Sequence, residues 1–234
     1  MFDRAGIAYP APFVDPLTDE AARVLGCLVE KEATVPDAYP LTLNALRSAC
    51  NQTSNRDPVV AYDDLTIQRS LDTLKAEGWV RFVHPAHGER TTRFRHVADE
   101  RLAVDAGSLS LLAILVLRGP QTAGELRTRS ERYHRFESPA EVEQLLTALA
   151  AREEPLVLEL PRQAGQHGTR WVHLLSGPVD VGALSVAPAA RAPGPGGGLG
   201  DRVAVLEAEL AEVRARLASL EAELGVGAPE VSSD

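Results

Sequence analysis

Cationic side chains in the first half of the chain are placed where they could contact phosphate groups. Guanidinium and ammonium groups bind nucleic-acid phosphates through charge and hydrogen bonds, so these residues are candidates for contact with double-stranded DNA. Arg69 and Thr73 fall on the outer face of a predicted helix, and most of the others follow in a predicted hairpin. The candidates are Arg56, Arg69, Thr73, Lys75, Arg81, Arg90, Arg93 and Arg95.

Acidic side chains near this first group leave an alternative interpretation open. Asp72 shares the outer helix face with Arg69 and would repel phosphate. The arginines could equally form a solvated strand face that carboxylates balance. The balancing residues would be Asp57, Asp63, Asp64 and Glu89.

The second half has its own arginine cluster between two predicted helices. Tyr133, His134 and Phe136 are interleaved with these arginines, a combination that could grip phosphates or stack on a base. Glu131 and Glu137 weaken the positive charge, and the same side chain types also anchor protein interfaces, so both interpretations stay open. The candidates are Arg127, Arg129, Arg132 and Arg135.

The sequence gives less support to a metal site or to an active site. His84, His87 and His96 share one predicted hairpin, but no acidic or cysteine partner completes a zinc set, so we predict no metal site. Cys27 and Cys50 fall on predicted helices far apart in sequence, with no partner cysteine nearby, and we expect both to be reduced core residues. The chain has no phosphate-binding glycine loop and no nucleophile elbow. We therefore expect neither an enzyme nor a cofactor.

A repeated strand pattern indicates how these residues are positioned. Arg93-Phe94-Arg95-His96-Val97 and Arg170-Trp171-Val172-His173-Leu174 each follow a glycine-bearing turn, and three predicted helices precede each hairpin. The repeat predicts an internal duplication with the element order of a winged helix. The predicted fold class is mainly α with small β-hairpins, an α+β fold of two tandem winged-helix domains plus a C-terminal coiled-coil helix.

Periodicity and capping residues predict the elements of each unit. Thr18 caps the first helix, and either Asp63 or Asp64 caps the third, whose Ile67 and Leu71 face inward. The first unit has a second helix near 42–50 and strands at 79–84 and 92–97. The second unit has helices near 108–118, 122–128 and 139–152 and strands at 156–160 and 169–174. The third helix of the second unit exposes small, uncharged residues, a face suited to protein contact.

The C-terminal region differs in composition from the two units. Residues 176–200 are rich in glycine, proline and alanine and are predicted to be a linker. Residues 201–225 carry a heptad pattern that predicts a parallel coiled coil and self-association, although an amphipathic helix folded back on its own domains is the alternative. The core positions of this oligomerisation helix are Val203, Leu206, Leu210, Val213, Leu217, Leu220 and Leu224. The full division is a lead at 1–16, domains at 17–98 and 99–175, the linker, the helix, and a disordered tail at 226–234.

Charge and hydropathy limit the classes of partner. The formal net charge is −9, but residues 177–234 alone carry −5, so the acidity does not exclude nucleic-acid binding by the domains. No apolar run approaches the length that crosses a bilayer, and the first residues do not resemble a secretory signal. We expect a cytoplasmic protein with no membrane partner.

Three segments of the first unit carry a family resemblance: residues 39–46, Ala49-Cys50-Asn51-Gln52, and Asn55-Arg56-Asp57-Pro58-Val59. With residues 117–129 of the second unit, they resemble the signatures of the YceH-like family of uncharacterised bacterial proteins. The resemblance covers roughly 17–175. It implies a tandem winged-helix fold and carries no established activity.

Two functions remain in competition at the level of sequence. The first is regulatory binding of duplex DNA by a dimer, through the third helix and wing of the first unit. The second is a protein-interaction adaptor that docks an unidentified protein partner on the winged-helix surfaces and binds no DNA, which the acidic total charge favours. Salt-dependent binding to random duplex DNA distinguishes them.

Overall fold

The computed structural model describes residues 16–84, 91–162 and 168–179. Several sequence predictions fall outside these residues, namely the N-terminal lead, most of the linker, the heptad helix with its seven core positions, and the turn that contains Arg90. Within the described ranges, no helix is long and apolar enough to cross a membrane.

The described residues form α-helices and two small antiparallel sheets, which confirms the predicted mixture of helices and β-hairpins. The first half contains α1 (Asp19–Thr34), a 3₁₀ helix (Pro36–Ala38), β1 (Leu41–Thr42), α2 (Leu43–Cys50), α3 (Asp64–Ala76), β2 (Val80–Val83) and β3 (Arg93–His96). The second half contains α4 (Ala98–Leu102), α5 (Ala106–Arg118), α6 (Ala123–Ser130), α7 (Pro139–Ala150), β4 (Val157–Leu160) and β5 (Arg170–His173). The 3₁₀ helix, β1 and α4 were not predicted.

The helices begin at side chains that satisfy their first backbone N–H groups. The predicted cap Thr18 accepts a hydrogen bond from the Ala21 N–H at 3.2 Å. Asp63, rather than Asp64, caps α3 and accepts from the Thr66 N–H at 2.8 Å. Helix α3 ends before Gly78, whose φ of +77° allows the chain to turn directly into β2.

The first sheet has the strand order β1-β3-β2, with every pair antiparallel. In it, Leu41 lies opposite Phe94, and the next residue, Thr42, caps α2. The second half repeats this arrangement with an isolated bridge between Gln121 and Trp171, one residue before Thr122 caps α6. Phe94 and Trp171 occupy the same position of the repeated strand pattern, so the two bridges are equivalent.

One hydrophobic core runs through both halves. It contains buried residues of α1, α2 and α3 together with buried residues of α5, α6 and α7. Helix α1 packs closely on α5, and Gly26 lies at the contact, where an added Cβ would be only 3.0 Å from Val116 Cγ1 and 3.1 Å from Leu117 Cγ. The predicted domain boundary at 98/99 falls in α4, and the described residues on both sides belong to one compact unit.

The two histidines of the repeated pattern lie in strands, as predicted, but in different surroundings. His96 is buried, its Nδ1 accepts from the Ala98 N–H at 3.3 Å, and its Nε2 is 2.7 Å from a Glu32 carboxylate oxygen. The Nδ1 atom of His173 is buried with no hydrogen-bond partner among the described residues. Burial lowers the pKa of His173 from 6.5 to about 4.

This pKa shift predicts a specific sensitivity to acid. Between pH 6.5 and about 4, the unfolded chain binds a proton at His173 that the folded chain does not, so stability is lost as the pH falls. Because the side chain is partly exposed, we expect the loss to be about 1–3 kcal/mol. Urea titrations at neutral and at acidic pH give the free energy of unfolding at each pH. The decrease from neutral to acidic pH should be smaller in His173→Gln than in wild type by this amount. His84→Gln, at an exposed histidine, should retain the wild-type fall, and equal falls in all three proteins would contradict the prediction.

Candidate nucleic-acid interface

The outer face of α3 is exposed as the sequence predicts. Ile67, Leu71 and Leu74 are fully buried. On the opposite side Leu65 is 55% exposed. The remaining exposed residues of this face are Arg69, Asp72, Thr73 and Ala76. A helix with an exposed polar face of this kind is available to a groove or to a protein surface.

Three of the candidate arginines share the outer face of the first sheet. Arg81 lies directly opposite Arg95, and Arg93 is two positions from Arg95 on the same strand. Side chains two apart on a strand, and those directly opposite across a ladder, point to the same face. Phe82 and Phe94 occupy the other face and pack edge to face with ring centroids 4.8 Å apart. The sheet therefore has an aromatic inner face and an arginine-rich outer face.

Some of these cations already have contacts within the protein. Arg81 Nη2 lies 2.7 Å from a Glu100 carboxylate oxygen, in an exposed ion pair. Arg93 Nη1 donates to the Pro40 carbonyl at 3.0 Å. The exposed pair of Arg81 is worth little energy, so it orients this side chain without preventing it from binding phosphate.

The carboxylates suggested to balance this face mostly serve other roles. Asp63 is the cap of α3, and its pKa is lowered by the hydrogen bond from the Thr66 backbone. Asp64 forms an ion pair with Arg47 at 2.9 Å. Asp72, which shares the outer face of α3 with Arg69, accepts a hydrogen bond from Gln68 at 3.0 Å. Glu89 lies outside the described residues.

Arg56 requires a correction, because it does not lie on the cationic surface. Its side chain is completely buried, and it forms a two-pronged ion pair with Glu30, whose side chain is 9% exposed. The Arg56 Nε atom also donates to the Ala49 carbonyl at 3.1 Å. A side chain with these partners cannot reach a phosphate. Sequence reasoning assigned it to the surface because its loop is polar and charged arginines are rarely buried without a partner.

The ion pair of Arg56 is part of a polar network that joins the two halves. Burial would raise the pKa of Glu30, but the neighbouring guanidinium of Arg56 and the ammonium of Lys31 outweigh it and lower the pKa. The hydroxyl of Tyr133, from the second half, lies near Glu30, and burial together with this carboxylate raises the pKa of Tyr133. The charged state of Glu30 is therefore favoured, and it links α1 to the segment after α6.

The loop between α2 and α3 is fixed on both sides by further hydrogen bonds. The Asn51 side chain exchanges two hydrogen bonds of 2.8 Å with the Tyr62 backbone. The Asp57 N–H donates to the Leu117 carbonyl of α5 at 2.8 Å, and Arg118 donates to the side chain of Asn55. These contacts set the start of α3 relative to the second half.

The arginines of the second half are distributed over several environments. Arg127 Nε donates to the Phe136 carbonyl at 3.3 Å, and Arg129 lies 3.9 Å from a Glu125 carboxylate oxygen. Arg132 and Arg135 are exposed. Phe136 is 3% exposed and belongs to the core, so it is unavailable for stacking on a base.

The exposed face of α7 agrees with the sequence prediction. Val142, Leu146 and Leu149 are buried. The residues on the exposed side are Ala140, Gln144, Thr147, Ala148 and Ala151. Because this face has no cation, it is a poor surface for DNA and a suitable one for close packing with a protein.

The histidines and cysteines of the described residues lie in different surroundings. His84 is exposed and His96 is buried, while His87 lies outside the described residues. No group of three potential metal ligands is found in the parts of the chain that the structure describes. Cys27 and Cys50 are both buried and unbridged, but the folded chain brings the two thiols close together. The contact with Cys27, followed by burial, raises the pKa of Cys50, so that thiol stays protonated.

Comparisons with known proteins match most of the chain. A family model described as a protein of unknown function, DUF480, matches residues 17–166. A UPF0502 protein from Delftia acidovorans is 47% identical over 226 residues, which cover 95% of this chain and 98% of that protein. A UPF0502 protein from Geobacter sulfurreducens is 48% identical over 200 residues, covering 83% of this chain and 89% of that protein. A third, from Geobacter metallireducens, is 52% identical over 167 residues, covering 71% and 75%.

Proposed function

Since the chain belongs to the DUF480 family of proteins of unknown function, we propose from its own residues that it binds duplex DNA in a regulatory role. The first half would supply the contacts, with Arg69 and Thr73 of α3 in a groove and the outer face of the first sheet on the phosphates. Membership of this family agrees with the predicted resemblance, and it leaves the activity to be argued from the surface itself.

The order of elements supports a winged helix in each half. In the first half, α1, β1, α2, α3, β2 and β3 follow one another as helix, strand, helix, helix and hairpin. In the second half, α5, the bridge at Gln121, α6, α7, β4 and β5 repeat that order. In a winged helix, the third helix and the hairpin are the usual elements to meet DNA.

The outer face of the first sheet is the observation that carries the proposal. Arg81 and Arg95 are directly opposite each other, an arrangement in which like charges repel. Glu100 offsets this repulsion at Arg81. Arg93 adds a third cation beside Arg95, so a bound phosphate would relieve the repulsion and release counterions.

A salt titration tests the proposal. We expect full-length protein to bind random duplex DNA with an affinity that falls steeply as salt is added. Each phosphate contact contributes about 0.9 to the slope of log affinity against log salt, so Arg93→Ala/Arg95→Ala should reduce the slope by about 2. Fluorescence anisotropy with labelled duplex across the salt series gives both quantities.

The second half offers a control that is matched in charge. Arg132→Ala/Arg135→Ala removes the same charge from exposed positions and should leave the slope within experimental error of wild type. Arg69→Ala should weaken binding without disturbing the sheet. Absence of binding at low salt would reject DNA as the ligand, and a loss confined to the Arg132 and Arg135 variant would move the contact to the second half.

A protein-interaction adaptor is the second candidate, and it is supported by different surfaces. The exposed side of α7 is small and uncharged, and Val59 and Leu65 are 57% and 55% exposed beside α3. Apolar side chains at these positions are typical of protein interfaces rather than phosphate contacts. DNA binding that is absent at all salt concentrations would favour this role.

A further inference from the structure

Strand β2 forms an outer edge of the first sheet. The sheet order is β1-β3-β2, and no other strand among the described residues pairs with the far side of β2. An edge strand presents unpaired backbone N–H and C=O groups, which can accept a further strand from another polypeptide.

The register of the sheet identifies the backbone groups that face this edge. The Val97 N–H donates to the Trp79 carbonyl at 2.8 Å, so the opposed residues Trp79 and Val97 form a hydrogen-bonded pair. Hydrogen-bonded and non-hydrogen-bonded pairs alternate along an antiparallel ladder. Val80 and Phe82 therefore belong to non-hydrogen-bonded pairs, and their N–H and C=O groups point away from β3.

An open cleft of about 720 Å³ runs along this edge. Three consecutive residues of β2, Val80, Arg81 and Phe82, line it. Consecutive strand residues point to opposite faces, and the edge of the strand is where all three can line one cleft. The end of α3 and helix α4 form its walls through Lys75, Gly78, Val97, Glu100 and Arg101.

Aromatic rings hold two cations beside the cleft. Lys75 Nζ lies 4.3 Å from the centre of the Phe82 ring, and the Arg101 guanidinium lies 4.6 Å from the centre of the Trp79 ring. Stacking of this kind restricts the long side chains before any ligand arrives. Among the described residues that line it, the cleft has three cations, Lys75, Arg81 and Arg101, against one carboxylate, that of Glu100.

We propose that the β2 edge binds an extended acidic segment of a partner protein, which adds a strand beside Val80 and Phe82. The partner's backbone would exchange hydrogen bonds with these two residues. Its acidic side chains would meet Arg81 and Arg101, and its apolar side chains would lie over Phe82. The surface is distinct from the outer arginine face used for DNA, although Arg81 borders both.

A peptide probe tests this proposal without DNA. The probe is a short labelled peptide in which glutamate and valine alternate, and a lysine–valine peptide of equal length is its control. We expect the full-length protein to bind the glutamate peptide in low-salt fluorescence anisotropy and to bind the lysine peptide at least about tenfold more weakly, since the cleft is cationic.

Backbone methylation of the probe distinguishes strand addition from charge attraction. Only alternate residues of an added strand direct their N–H groups toward β2. In an added strand the glutamates should lie on the face of Arg81 and the valines on the face of Phe82. The amides that point toward β2 should therefore belong either all to glutamates or all to valines. N-methylation of that set should weaken binding about tenfold or more, whereas methylation of the other set should change it less than about twofold.

Protein variants locate the site. Arg101→Glu should weaken glutamate-peptide binding about tenfold, and Arg135→Glu, which makes the same charge change outside the cleft, should not. Thermal unfolding of both variants checks that they are folded. No binding of the glutamate peptide, or equal binding of both methylated forms, would overturn the proposal. If duplex DNA displaced the peptide and the two methylated forms bound equally, the cleft would instead be identified as a phosphate-binding surface.

Discussion

Replacing Arg56 with alanine is expected to lower the free energy of unfolding by about 3–5 kcal/mol, because it removes the two-pronged guanidinium partner of the buried Glu30 carboxylate and leaves it only Lys31, at 3.2 Å. The side chains of this pair are 0% and 9% exposed, so water does not screen their charges in the folded protein. The loss extends beyond the pair itself. Arg56 also donates to the carbonyls of Ala49 and Asn55, which would lose these partners in the variant.

The measurement is urea unfolding of wild type and variants, followed by circular dichroism. A double variant, Glu30→Leu/Arg56→Leu, removes both charges and should lose much less stability than the single alanine variant, because apolar pairs often replace buried ion pairs at little cost. Arg47→Ala, which breaks the exposed pair with Asp64, is the control and should lose less than about 1 kcal/mol. A loss below about 1 kcal/mol in Arg56→Ala would contradict the buried network.

Replacing Trp79 with alanine is the second large effect, with an expected loss of about 3–5 kcal/mol from removal of a large core side chain. Trp79 is 0% exposed and lies where α3 turns into β2. Its backbone holds both elements, since its N–H donates to the Leu74 carbonyl at 2.8 Å and its carbonyl accepts from Val97. The indole also supports Arg101, which stacks on it at 4.6 Å.

The matched variant Trp79→Phe keeps most of the apolar volume and a ring for Arg101, so it should lose substantially less stability than alanine. Thermal and urea unfolding give the comparison. The alanine variant should also bind the glutamate–valine peptide more weakly, since the cation is no longer held beside the cleft. Equal stability of the alanine and phenylalanine variants would show that the ring does not fill the core as described.

The helices could be predicted because their signals are local. Thr18 and Asp63 act within one turn, and Ile67, Leu71 and Leu74 repeat at helical spacing, so neighbours in sequence contain the needed information. Strand β1 could not be predicted, because its two residues are too few for an alternating pattern and its partner Phe94 is more than fifty positions away. Helix α4 is a single short turn at the predicted domain boundary, with no side-chain cap.

The candidate site was predictable only where exposure follows from local periodicity. Arg69 on α3 and Arg93 on β3 lie where the spacing indicates. Arg56 has the same side chain, but its burial depends on Glu30, a residue 26 positions earlier on another helix. The contact between Cys27 and Cys50 is of the same kind, since it depends on how α1 and α2 pack. Arg101 was not among the predicted site residues because α4, the helix that carries it, was not predicted.

The close packing of α1 against α5 also has a consequence for biosynthesis. Helix α1 ends at Thr34, whereas α5, which covers its apolar face at Gly26, is complete only at Arg118. A ribosome adding about 5–20 residues per second needs several seconds to make the intervening segment. During that interval the nascent α1 has no α5 to pack against, so the first half completes its core only after much of the second half has been translated.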